Sequence, residues 1–78
     1  KVENEDMIQI GSRVKIENLS ENGRKLSFTL VKEENDLENG KLGVHTPLGR
    51  ALIDCQKGDD VEYQVGVEIK EVRVLEVV

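Results

Sequence analysis

Tryptophan is absent, and aromatic residues make up 3% of the chain, with one Phe and one Tyr. A core must therefore be filled by Val, Ile and Leu, whose side chains favour strands. Cysteine occurs once, as Cys55, so no internal disulfide can form, and the composition suits a reducing compartment. No apolar run approaches the roughly 20 residues of a membrane span. The first residues, Lys-Val-Glu-Asn-Glu-Asp, lack the basic-then-apolar order of a signal peptide. A cytoplasmic chain with no membrane role is expected. It starts at Lys1 rather than Met, which suggests a fragment or a processed product.

What is present is short and acidic. The 78 residues allow one core, with an expected stability of about 3 to 5 kcal/mol. Eleven basic against 16 acidic side chains leave a formal charge of -5. Such a charge repels the phosphate backbone on which non-specific nucleic-acid affinity depends, so direct DNA or RNA binding is disfavoured and a protein partner is expected.

Residues 1–10 are assigned to a linker or N-terminal extension and 11–78 to a single domain, with Ile8 the first residue apolar enough to begin a core. Val14 and Ile16 alternate with Arg13, Lys15 and Glu17, the period-two pattern of a strand with one wet face. Asn22-Gly23 supplies the positive φ angles of a tight turn, and Leu26, Phe28 and Leu30 then alternate in a second strand. The stretch from Lys32 to Gly40 is an acidic loop before a short strand, Lys41 to His45. Thr46-Pro47 marks a helix start, because Thr caps a free amide and Pro at the first position loses no hydrogen bond. Leu48, Ala51, Leu52 and Cys55 form one helical stripe of about two turns, and Lys57-Gly58-Asp59 stops it. Val61, Tyr63 and Val65 form a further strand. Val67 and Ile69 then lie on odd positions and Val72 and Val74 on even ones, so a bulge is expected near Lys70-Glu71. Short antiparallel strands with one small helix make an α+β domain, a curved antiparallel sheet packed on one short α-helix.

Few residues carry reactive chemistry. Glu33, Glu34, Asp36 and Glu38 lack the ligand order and central Gly of a calcium loop and read as a solvated acidic segment. His45 and Cys55 flank the helix, but two turns carry them to opposite ends, and the apolar stripe predicts a buried, inert Cys55. Gly49 costs about 1 kcal/mol against Ala inside a helix. Close packing of helix on sheet is the simpler reason for it, and backbone exposed to a partner the sharper one. Arg50 either pairs with Asp54 four residues on, the simpler reading, or offers its planar fork to a partner. No catalytic residue, metal site or cofactor is expected.

The segment Thr46-Pro47-Leu48-Gly49-Arg50-Ala51-Leu52-Ile53 resembles the "Ser-Pro-(Leu/Ile)-Gly-Arg-Ala-Leu-(Leu/Ile)-Gly" stretch of the bacterial GreA/GreB transcription elongation factors. Gly11-Ser12 with its strand resembles that family's "Gly-Ser-x-Val" segment, and Lys57-Gly58-Asp59-Asp60-Val61 its "x-Gly-Asp-x-Val" segment. The resemblance runs in collinear order from about residue 8 to the end of the chain. Thr46 stands where the family has Ser, Asp54 where it has Gly after the helix, and the turn after Gln64 lacks the usual Pro-Gly-Gly.

The resemblance implies an FKBP-like C-terminal domain that docks on RNA polymerase, at the largest-subunit rim of the secondary channel, while a separate coiled coil enters the channel and carries the metal-holding acidic residues. It places His45, Thr46, Pro47, Leu48, Gly49 and Arg50 in the partner-binding surface. A stand-alone regulator competing with Gre factors for the same polymerase site is the alternative. An FKBP-like peptidyl-prolyl isomerase is a weaker one, because only Phe28 and Tyr63 could line an aromatic pocket.

Overall fold

Alternation builds the sheet. A computed structural model describes residues 7–78. β1 (Arg13–Asn18) turns Val14, Ile16 and Asn18 inward, and β2 (Arg24–Val31) buries Phe28 and Leu30. Between them lies a 3-10 turn, Leu19–Glu21, after which Asn22 and Gly23 both adopt positive φ, as the Asn-Gly pair predicts. β3 (Lys41–Gly43) follows a second 3-10 turn, Leu37–Asn39. The helix α1 (Pro47–Leu52) leads to β4 (Asp60–Val65) and β5 (Glu68–Val77), which pair across a tight turn at Gly66-Val67. Gly66 supplies the positive φ that the first central position of such a turn needs.

The strand order is β3-β2-β1-β5-β4. All neighbours are antiparallel except β2 and β3, which run parallel, with Thr29 opposite Lys41 and Leu30 opposite Leu42. The sheet is therefore mixed rather than wholly antiparallel. Its parallel pair arises because the acidic loop doubles back before β3, where Asp36 and Lys41 exchange backbone hydrogen bonds of 2.8 Å. Leu42 on one edge strand and Val61 on the other belong to the same core cluster as Leu52 of α1. Strands four spacings apart in a flat sheet would lie about 19 Å from each other, so the sheet must curve around the helix.

Four boundaries differ from the sequence reading, the first being β3, which stops at Gly43 rather than His45 because Val44 and His45 form the turn into the helix. Ile8 is fully buried, its N–H donates to the Cys55 carbonyl and its own carbonyl accepts from the Asp54 N–H. The packed unit thus reaches back to Ile8, where the first core residue is expected, inside the stretch 1–10 read as linker or extension, and residues 1–6 lie outside the described residues. The helix ends at Leu52, short of Lys57-Gly58-Asp59, because Ile53 leaves helical geometry with a ψ of 134° and Asp54 follows with a left-handed φ of 70°. The bulge falls at Leu75 instead of Lys70-Glu71: Lys15 faces Glu76 and Ile16 faces Val74, so Leu75 is the unpaired extra residue. Val72, Val74 and, beyond the bulge, Val77 share the core side, whereas Val67 and Ile69 project into solvent. Among the described residues no helix is long and apolar enough to cross a membrane.

Candidate functional site: the junction between β3 and the helix

The junction from Gly43 to Arg50 is fixed by a small set of hydrogen bonds. The Thr46 hydroxyl donates to the Gly43 carbonyl at 2.8 Å and accepts from the Gly49 N–H at 3.1 Å, which makes Thr46 the N-cap of α1. Pro47 occupies the first turn, where its missing N–H costs nothing. On the other side of the junction, the Gly43 N–H donates to Asn35 Oδ1 at 2.8 Å, and the Val44 N–H donates to the Val31 carbonyl at 2.8 Å. Strand, loop and helix are thereby tied at one point.

Gly49 is buried, and a Cβ placed on it would press into the Gly43 carbonyl oxygen and stand 2.9 Å from the Val44 Cα. Close approach of helix to strand therefore accounts for this glycine. It lies in the stretch assigned to partner binding, but its side of the helix faces the chain's own backbone. His45, Pro47 and Arg50 are exposed, and Thr46 and Leu48 are half-buried. The stretch thus presents three side chains outward on a backbone that the other three positions hold.

Arg50 does not pair with Asp54. Among the described residues it makes no ion pair, because the chain turns through the left-handed Asp54 before the helix could place the two on one face. Its guanidinium is left open to solvent or a partner.

Cys55 lies past the end of the helix and is half-buried rather than fully buried; its thiol donates to the Ala51 carbonyl at 3.1 Å. Burial, and then the negative charges of Asp59 and Asp54, push its pKa up, so the thiolate is disfavoured. His45 sits at the opposite end of α1, and no hydrogen bond joins the two among the described residues. No group of three or more His, Cys, Asp and Glu that could hold a metal gathers among the described residues. The acidic loop is engaged locally, with Asn39 Nδ2 donating to Asp36 Oδ2 at 2.8 Å. Phe28 is buried in β2 as part of the core, and Tyr63 on β4 is half-buried and packed against that same core.

Sequence comparison identifies the architecture around this junction. The family model described as "Transcription elongation factor, GreA/GreB, C-term" matches residues 3–78. The chain belongs to this family. It is 33% identical over 78 residues to the transcription elongation factor GreA of Pelagibacter ubique, covering 99% of this chain and 49% of that protein. To GreA of Flavobacterium psychrophilum it is 42% identical over 67 residues, covering 85% of this chain and 42% of that protein. The chain spans about half or less of the length of these GreA relatives. Among solved structures it is similar to Thermus aquaticus Gfh1, with a TM-score of 0.75 and 32% identity over 92% of this chain and 48% of Gfh1. The GreA/GreB factor of Nitrosomonas europaea superposes with a TM-score of 0.70 at 25% identity, over 94% of this chain and 61% of that one. The curved sheet over one helix is thus the C-terminal fold of the GreA/GreB family.

Sequence reasoning missed Asn35, which reads as one more polar residue in an acidic loop, and Gly43, whose burial at the junction has no periodic signature. Gly43 is legible only in hindsight, since it precedes the Thr-Pro helix start by the spacing that lets Thr46 reach back to its carbonyl.

Proposed function

We propose that this domain is the RNA polymerase-binding part of a Gre-type elongation factor, that it docks at the secondary-channel rim formed by the largest subunit, and that it performs no catalysis itself. The observation that carries this reading is the junction at Gly43 to Arg50. Its backbone is held by Thr46, Asn35 and the close fit of Gly49, while Pro47, His45 and the unpaired Arg50 point outward. A surface fixed before contact loses little conformational freedom on binding, so more of its contact energy appears as affinity. Proline adds a rigid apolar face, and the arginine fork can engage a carboxylate with two parallel hydrogen bonds.

In this account the domain supplies affinity and orientation, and the chemistry of transcript cleavage belongs to the polymerase. Combining Pro47→Ala with Arg50→Ala should weaken capture of purified core polymerase about ten-fold, a loss typical of two central interface residues. The circular dichroism spectrum should stay that of the parent. Unchanged capture by the folded double variant would overturn the assignment of this surface. A robust isomerisation rate on a proline peptide would overturn the non-enzymatic part of the reading.

A further inference from the structure

We propose that a groove on the sheet face opposite the helix binds carboxylate side chains of an acidic peptide segment. Strand periodicity creates the site. Val14, Ile16 and Phe28 are buried on the helix side, so the alternate positions Arg13, Lys15, Ser27 and Thr29 stand on the other face. Register brings them together: Arg13 lies opposite Thr29, and Lys15 lies between Ser27 on β2 and Glu76 on β5. The Asn39-Gly40 turn closes one side, held there by the Thr29 N–H donating to the Gly40 carbonyl at 2.8 Å. Together these residues enclose a groove of about 340 Å³, the size of one or two side chains rather than of an extended polymer.

Its charge is unlike that of the rest of the molecule. The chain carries -5 overall, yet the groove is lined by two cations, Arg13 and Lys15, against one carboxylate, Glu76. Arg73 pairs with Asp60, and Lys70 with Glu21 and Glu68, while the other described cations, Arg50 among them, stand singly on the surface. Among the described residues neither Arg13 nor Lys15 forms an ion pair. Two unpaired cations beside the hydroxyls of Ser27 and Thr29 make a set of donors suited to a carboxylate. A nucleic-acid strand fits less well, because the groove holds one or two side chains rather than a run of nucleotides, and no exposed aromatic ring lines it for a base to stack on. The site lies across the sheet from the His45 to Arg50 surface and does not depend on polymerase docking there.

The test is a nitrogen-15 NMR titration of the chain with a capped hexaglutamate peptide at low ionic strength. Amide shifts should concentrate at Arg13, Lys15, Ser27, Thr29 and Asn39. Arg13→Gln with Lys15→Gln should weaken binding about ten-fold, and Glu76→Gln should tighten it about two- to five-fold, the sizes expected for surface charge contacts. Lys57→Gln, away from the groove, should change nothing. Shifts centred elsewhere, unaltered affinity in the folded double variant, or no gain from Glu76→Gln would overturn the site. Hexathymidylate binding more tightly than hexaglutamate would overturn the choice of carboxylate.

Discussion

At the scale of single residues, two positions carry opposite backbone demands. Alanine is normally the better helix residue by about 1 kcal/mol, but at Gly49 the added methyl would enter the Gly43 carbonyl and crowd the Val44 Cα. Overpacking against backbone should outweigh the propensity gain, so Gly49→Ala is expected to destabilise by about 2 kcal/mol, read from urea denaturation. Asp54 presents the reverse case. It holds a φ of 70°, a region where a Cβ is strained and which Asp tolerates only in part. Asp54→Gly should raise stability by about 0.5 kcal/mol, the relief of strain being partly offset by a freer unfolded chain; a fall in the thermal midpoint would refute this. The sequence signals differ at these two sites. Gly49 announces itself as a glycine where helix propensity argues against one, whereas nothing about Asp54 alone reveals a left-handed turn.

At the scale of elements, β5 shows how a pattern can be right in kind and wrong in place. A change of face between odd and even positions is visible in the sequence, and a bulge is its natural cause. The odd-numbered Val67 and Ile69, however, are outside the core, so the pattern to be reconciled is that of Val72 and Val74 with Val77. Apolar type therefore overstates burial near the turn, where β4 and β5 extend past the helix. The facing assignment yields a paired expectation. Val74→Ala, at 1% exposure, should cost about 2 kcal/mol, and Ile69→Ala, at 68% exposure, less than about 0.5 kcal/mol. Equal losses in chemical denaturation would contradict the placement of the bulge. The parallel pairing of β2 with β3 was illegible for a related reason: direction depends on how the loop travels, and an acidic loop looks the same in either case.

At the scale of the whole molecule, few charges are bound tightly enough to make stability depend on pH. Asp60 joins β4 to β5 by accepting from Arg73 Nε at 2.7 Å and Nη2 at 3.2 Å. That hydrogen bond, with the positive charge behind it, holds the Asp60 carboxyl below its ordinary pKa. A carboxyl whose folded pKa is depressed stabilises the fold above its unfolded value of about 3.9, and that contribution is lost as pH falls through the lower folded value. Asp60→Asn should therefore lower the thermal midpoint slightly at neutral pH and leave it close to the parent's in strong acid, so the two melting curves converge as pH drops. A constant gap down to strong acid would show that the pair acts through packing and not through charge.

The elements and the family are legible in the amino-acid order: alternation defines the strands, Thr46-Pro47 starts the helix, and the collinear Gre-like segments mark the domain, because these depend on neighbours along the chain. Three-dimensional packing settled the strand direction of β3, the hold of Asn35 on Gly43, the freedom of Arg50, and the meeting of Arg13 and Lys15 with Ser27, Thr29 and Glu76 in one groove. Those facts depend on distances between residues far apart in the chain, which local periodicity does not encode.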